Sequence, residues 1–294
     1  MCTVPFVDEL VRFDQPAVIR GGARAMPAVE RWSVPYLEAR LGDVRLKHKL
    51  SRSHKHPDFG AASLKEMFAL GEGSFGELLA AMTTGLEPER ARRLFTGDEQ
   101  FLLKRRDGVT TIGEPLRPLL DDLVVPEIAA ERLYSVWAWF SGKGVRTWLH
   151  YDNNGCHNLN AQITGRKQCW LYAPEELARM APFPLGGKNP AYNCSAIDAE
   201  APPPGFADVP CLEATLEAGD LLFIPAWWFH TFVHLGELNS NVNFWWRPEQ
   251  AVANPIARRH DLLELAARSG VDPRGDDPAA ALLRRLDELA IGAV

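Results

Sequence analysis

His150 and Asp152 stand two residues apart, and a third candidate donor, His230, follows far downstream. In a β-strand, residues i and i+2 leave the same face, so a strand through His150 aims an imidazole and a carboxylate at one point. A histidine at the end of a second strand closes the triangle. Two imidazoles and one carboxylate on one face of a divalent iron leave its remaining positions open for exchangeable ligands. Spacing alone also allows a plainer reading, a polar strand end with no metal. The setting of His230 bears on that choice. It ends the run Asp220-Leu-Leu-Phe-Ile-Pro-Ala-Trp-Trp-Phe-His230, which reads as turn, buried strand, proline-fixed loop and then an imidazole among tryptophans. An imidazole in so apolar a place needs a partner, and either a core hydrogen bond or a metal supplies one.

The elements that must position these residues change in texture along the chain. Residues 1–130 read as mainly helical, with strand pieces between. Pro16 to Arg20 is a short β-rich run. Arg31 to Leu41 begins a helix at Ser33 and stops at Gly42. Ser63-Leu-Lys-Glu66 resembles a capping box, and Phe75 to Thr84 has helical periodicity. Gly113 to Leu123 holds too many prolines for a long helix. From about residue 131 the pattern shifts to short β-type runs closed by Gly and Pro: Leu133–Phe140, Asn160–Ile163, Lys167–Tyr172, Leu221–Pro225 and Ser240–Trp246. Such a series predicts a β-sandwich or barrel. Residues 181–215 are proline-rich and read as a long irregular loop over the barrel mouth. Two helices follow, Asp261–Arg268 and Asp277–Leu289, with leucine stripes that pack on the domain or join two copies of the chain. The expected organisation is therefore a mixed N-terminal region over 1–130, a β core over 131–250 and a helical extension over 251–294.

Bulk properties narrow the function classes. The chain has 294 residues, 46% of them apolar and 24% charged, as in an ordinary globular protein. A net charge of −6 argues against a general nucleic-acid surface. No apolar run reaches membrane-spanning length, and the first residues lack the features of a secretory signal. The five cysteines are scattered without a CxxC pair, so free thiols and a cytoplasmic location are expected. His157 lies near the site in sequence, but three candidate donors already make a set, so it reads as structural, with ligation or substrate contact as the other use. His54-Lys55-His56 belongs to a basic stretch from Lys47 and reads as a solvated face, with substrate docking as the other use.

Four segments carry a resemblance: Thr147-Trp-Leu-His150-Tyr-Asp152, then Ala161 through Lys167 to Tyr172, then Gly219 to His230, then Asn241-Val-Asn243-Phe-Trp245. In this order they resemble the cupin-like jumonji-C family of Fe(II)- and 2-oxoglutarate-dependent oxygenases, a family that includes an asparaginyl hydroxylase. The resemblance spans roughly residues 131–247. It implies a mainly β fold, a double-stranded β-helix (cupin or jelly roll) flanked by a helical N-terminal region and C-terminal helices. It implies iron on His150, Asp152 and His230, with O2 and 2-oxoglutarate as co-substrates. Lys167 and Thr147 match positions that hold the far carboxylate of 2-oxoglutarate, and Asn158 and Asn243 match amides that contact it. A lysine is a compact charge with three donors, suited to a carboxylate inside a narrow barrel. Its place just after Thr164-Gly165 also permits a turn lysine pointing to solvent.

The activity so implied is hydroxylation, or demethylation when the hydroxylated carbon sits on nitrogen. The substrate is a peptide, a protein residue or a small biosynthetic molecule. Two other classes remain open: a cupin-fold metal-binding or sensing protein without turnover, and a metal-dependent isomerase or dioxygenase that does not use 2-oxoglutarate.

Overall fold

A computed structural model describes residues 14–51, 68–83, 94–104, 110–112, 114–183, 191–198, 201–249, 252–272, 280–282 and 284–285. In chain order the strands are β1 (Ala17–Ile19), β2 (Arg45–Ser51), β3 (Phe68–Ser74), β4 (Leu94–Lys104), β5 (Thr110–Ile112), β6 (Leu133–Gly142), β7 (His157–Thr164), β8 (Lys167–Tyr172), β9 (Leu212–Leu216), β10 (Leu221–Ile224), β11 (Phe229–His234) and β12 (Leu238–Trp246). The helices are α1 (Ala28–Arg31), α2 (Val34–Leu41), α3 (Phe75–Thr83), α4 (Glu127–Ala130) and α5 (Pro255–Arg268), with a 3-10 segment at Glu114–Asp122.

These strands form two antiparallel sheets. The larger runs β1-β10-β7-β12-β6-β4-β2-β3, with β5 on β4; the smaller runs β11-β8-β9. The segment 144–150 extends the smaller sheet along β11 through Gly144 N–H to His234 O, Thr147 N–H to Phe232 O and an exchanged pair between His150 and His230. Side-chain bonds cross the gap between the sheets, from Lys167 on β8 to Asn160 on β7 and between His234 on β11 and Ser141 on β6. The result is the expected cupin-type jelly roll.

Strand alternation divides the side chains. Leu159, Ala161 and Ile163 of β7, with Val242, Phe244 and Trp246 of β12, enter the large core outside the larger sheet. That core is covered by Trp32, Leu37 and Leu41 from the N-terminal helices, and Phe140 stacks on Trp32 at 5.6 Å. The intervening residues face the other way, into the barrel. Cys169, Leu171, Leu222, Ile224 and Phe232 form an apolar cluster there, beside the polar residues of the site.

Several expectations change. Among its described residues the N-terminal region is not mainly helical: β2, β3 and β4 lie there and continue the larger sheet past β6. Lys47-His48-Lys49 and the glycine-rich Phe68–Ser74 carry little strand signal, and their state is set by pairing with each other and with β4. The proline-rich stretch holds a 3-10 segment at Glu114–Asp122, in keeping with the expectation that its prolines bar a long helix. A capping box closes α3 at Ser74 and Glu77, where the Ser74 N–H donates to the Glu77 carboxylate at 3.0 Å. The one expected at Ser63–Glu66 lies outside the described residues, as does the His54–His56 pair. Ser33 occupies the cap position of α2 but makes no side-chain cap bond. The loop 181–215 is not irregular throughout, since its last part is β9, paired with β8. In α5 the buried face is Ile256, Ala257 and Ala266, while Leu262 and Leu265 are exposed. Most of the second C-terminal helix lies outside the described residues. Cys156, Cys169, Cys194 and Cys211 are free thiols, as expected.

One buried carboxylate ties the N-terminal helices down. Asp122 accepts from Trp32 Nε1 at 3.0 Å, Tyr36 Oη at 2.7 Å and Arg31 Nη1 at 2.8 Å. Burial works against its charge, but the bonds from Tyr36, Arg31 and Trp32 hold its pKa below the ordinary carboxylate value. Its contribution is therefore complete above that ordinary value and fades as acid protonates the folded form. Asp122→Ala strands the buried Trp32 donor and the half-buried Tyr36 donor and should cost about 2 kcal/mol in urea unfolding at neutral pH, with little of it from the exposed arginine.

Candidate metal centre

The geometry of the triad starts from one backbone pairing. His150 N–H donates to His230 O at 3.1 Å, and His230 N–H donates to His150 O at 2.7 Å. Residues that exchange both bonds sit directly opposite each other and project from the same face. The two imidazoles are accordingly neighbours, with ring centroids 4.4 Å apart.

Each ring is then locked by the same local device. His150 Nδ1 donates to Trp148 O at 2.7 Å, and His230 Nδ1 donates to Trp228 O at 3.0 Å. A carbonyl only accepts, so the proton of each neutral ring is on Nδ1 and Nε2 keeps its lone pair. Burial pushes His230 down to about 4, so it is neutral near pH 7.

Asp152 completes the set from the segment just beyond. Its Oδ2 accepts from Trp245 Nε1 at 2.8 Å and from Asn158 Nδ2 at 3.1 Å. Its Oδ1 is left facing His150 Nε2 at 3.9 Å and His230 Nε2 at 3.8 Å. Burial disfavours charge on this carboxylate, but the facing histidines and the bonds from Trp245 and Asn158 outweigh it and lower its pKa.

These donors fit a divalent metal. The ligand atoms of His150, Asp152 and His230 all lie within 4.8 Å of one another. Two lone pairs and one carboxylate oxygen, each held by a bond on its other side, make a first-row metal site with an ordered outer shell. His150, Asp152 and His230 would hold the ion, and Asp152 would give it one oxygen because the other is occupied.

The remaining predicted residues fall on the inner face of the barrel, with differences. Lys167 is not a solvent-facing turn residue: it is 1% exposed. The turn before it needs Gly165, whose φ is +73° and where a Cβ would meet Leu238 O at 2.3 Å. Lys167 Nζ donates to Asn160 Oδ1 at 2.8 Å and lies 4.4 Å above the Phe232 ring centroid. Among the described residues no carboxylate pairs with it. Burial pushes its pKa down to about 7. Thr147 Oγ1 accepts the Phe232 N–H at 2.8 Å, which leaves its own proton to donate.

Asn158 and Asn243 are hydrogen-bonded to each other, and each primary amide has a second N–H beyond the bond it donates. Asn241 Nδ2 donates to Asn243 Oδ1 at 2.7 Å, Asn243 Nδ2 to Asn158 Oδ1 at 3.0 Å, and Asn158 to Asp152. Asn158 belongs to β7 and not to a polar loop, because its backbone pairs with Trp245 and Ile224. His157 is structural: its Nδ1 accepts the Ala226 N–H at 3.1 Å, and its ring lies between Phe223 and Trp246. Trp245, Asn241 and Asn160 were not anticipated as parts of the site. Only the inward phase of β12 and β7 could have indicated them. Trp245→Phe and Asn158→Ala should each weaken Co(II) binding by about tenfold or more, read by absorbance titration of folded protein.

Comparison with known proteins follows this geometry. A family model described as a cupin-like domain matches residues 3–251. The chain is 30% identical over 310 residues to lysine-specific demethylase JMJ31 of Arabidopsis thaliana, covering 95% of this chain and 54% of that protein. It is 30% identical over 249 residues to tRNA wybutosine-synthesizing protein 5 of Danio rerio, covering 82% and 72%. Lysine-specific demethylase 8 of Xenopus tropicalis is 25% identical over 258 residues, covering 82% and 50%. The chain thus spans about half the length of the two demethylases. The matched region contains both sheets and every ligand of the triad, and on that basis this chain belongs to the cupin-like, jumonji-C family that its motifs resemble.

Proposed function

We propose that the chain is an Fe(II)- and 2-oxoglutarate-dependent oxygenase that hydroxylates a C–H bond of a peptide or protein residue, or of a small biosynthetic molecule. The observation that carries this reading is Lys167. An ammonium 1% exposed, with one amide bond and no counter-charge among the described residues, shares the barrel with three bare metal donors. A buried charge without a partner is costly, so an anionic ligand is the natural complement. A metal-binding or sensing scaffold has no need of that ammonium.

With iron bound, the site supplies O2 activation coupled to oxidation of 2-oxoglutarate to succinate and CO2, one oxygen atom going to each of succinate and the hydroxylated product. The chain's own residues bind and orient. Lys167 and the free hydroxyl proton of Thr147 take the far carboxylate. Trp137 and Trp139, stacked at 6.1 Å on the inner face of β6, wall the site beside Trp245 and exclude water. Relatives named as lysine demethylases fit this C–H chemistry, since hydroxylation of an N-methyl carbon gives a carbinolamine that releases that carbon as formaldehyde. The net charge of −6 favours a peptide or small molecule over a tRNA surface.

The test is succinate formation with Fe(II), 2-oxoglutarate and ascorbate, followed by mass spectrometry for products heavier by one oxygen atom. Asp152→Ala and Lys167→Ala should abolish turnover; unchanged turnover in both would sink the assignment. Binding should also depend on pH. Lys167 is protonated below about 7 in the free protein. Affinity for 2-oxoglutarate should therefore be highest on the acid side of that value and fall by up to about tenfold per unit as pH rises above it, measured calorimetrically on the Zn(II)-loaded protein.

A further inference from the structure

A second polar cluster lies on the inner face of the smaller sheet, along β11 from His230. Lys167 of β8 and His234 of β11 are directly opposite partners in their antiparallel pair. Their side chains therefore leave the same face, the one that also carries His230 and Phe232. His234 is 6% exposed. Its Nδ1 is hydrogen-bonded to Ser141 Oγ from β6, and Nε2 has no partner among the described residues. His157 also shows one hydrogen-bonded nitrogen, but it packs between the Phe223 and Trp246 rings, away from any charge. Unlike His157, His234 shares a face with the uncompensated ammonium, and unlike His230 it is not one of the candidate metal donors.

The chemistry of the pair is complementary. Burial first, and then the neighbouring Lys167, push His234 down to about 3, so the ring is neutral. A neutral ring does not repel Lys167. When the Ser141 hydroxyl donates to Nδ1, the ring proton is fixed on Nε2. The ring then presents one N–H into the barrel and adds no charge. One ammonium and one neutral donor match a single carboxylate. A phosphate, with its second charge, would leave one charge unbalanced.

We propose that His234, oriented by Ser141, is a binding residue for the distal carboxylate of the dicarboxylate co-substrate, acting beside Lys167. The proposal rests on the oxygenase reading above and adds to it a residue that sets which acid the barrel accepts. Thr147 approaches from the segment next to β11, through its bond to Phe232 N–H. The distal carboxylate thus meets donors from β8, β11 and the 144–150 segment.

The experiment titrates 2-oxoglutarate into Zn(II)-loaded protein, which does not turn over, for the wild type, Lys167→Met, His234→Leu, His234→Gln and Ser141→Ala. His234→Leu removes the donor and keeps bulk; Kd should rise about tenfold or more. His234→Gln retains an N–H donor and should recover most of the loss. Ser141→Ala frees the tautomer and should fall between them. Zinc affinity should stay at the wild-type value in all three. Wild-type 2-oxoglutarate affinity in folded His234→Leu overturns the proposal, as does a loss of zinc affinity that tracks the loss of 2-oxoglutarate. If His234→Leu does not fold, Ser141→Ala decides: wild-type 2-oxoglutarate affinity in that variant overturns the proposal. The two readings separate cleanly. A wild-type protein that does not bind 2-oxoglutarate ends the oxygenase reading. Binding that is lost in Lys167→Met but kept in His234→Leu ends this inference alone.

Discussion

The exchanged hydrogen bonds between His150 and His230 are the constraint on which the rest depends. They bring two histidines distant in sequence onto one face through backbone pairing. Everything around them preserves that register. The turn into β11 runs through Trp227, whose φ of 73° is left-handed. A tryptophan there costs about 1–2 kcal/mol relative to an ordinary conformation. The surroundings hold it: Trp227 packs on His260 of α5 at 4.5 Å and against Tyr151 at 6.0 Å, and Tyr151 Oη bonds His260 Nε2 at 3.1 Å. Tyr151 lies between the candidate ligands His150 and Asp152. The C-terminal helix thus braces both ligand-bearing segments, and strain at the turn is sustained by packing on each side of it.

The two phases of β12 and β7 show how one strand serves stability and chemistry together. Val242, Phe244 and Trp246 anchor the outer core, while Asn241, Asn243 and Trp245 alternate with them and reach the site. A one-residue slip would put amides in the apolar core and phenylalanine on Asp152. The burial that stabilises the larger sheet therefore also fixes which atoms touch the carboxylate. Because Trp245 and Asn158 both take Oδ2, the orientation of Asp152 is inherited from the register of β12 on β7.

The parts legible in the sequence were those encoded locally. His150-Tyr-Asp152 could be read because period-two alternation is local, and Lys167 because a glycine turn and an apolar strand frame it. The core strands β6, β8, β10 and β12 could be read from aromatic and β-branched runs. β1 could be read from Pro16–Arg20, but β2 and β3 could not, since Lys47-His48-Lys49 becomes a strand only through long-range pairing with β3 and β4. The outer shell of the site was hidden for the same reason. Trp245 meets Asp152, and His234 meets Ser141, across more than ninety residues. Asparagine was the least readable residue type. At Asn158 a turn-forming preference competed with a strand that forms only once Trp245 lies beside it.

Charge connects the metal site to the ammonium. The described inner face carries one carboxylate, Asp152, and one ammonium, Lys167, while His230 and His234 are held neutral by burial. These two charges cancel but do not touch: Asp152 is bonded to Trp245 and Asn158, and Lys167 to Asn160. Amides and an indole thus hold the two apart in a medium where a direct pair would be strongly attractive. A divalent cation at the triad gives the face a double positive charge, spread between the metal and Lys167. The ligand that restores neutrality is a dianion with its charges at two separated ends. Under the proposed reading this is why 2-oxoglutarate suits the barrel. Its two carboxylates meet the two places where the protein has left charge unpaired, and the neutral donors around Lys167 fix its far end without changing that balance.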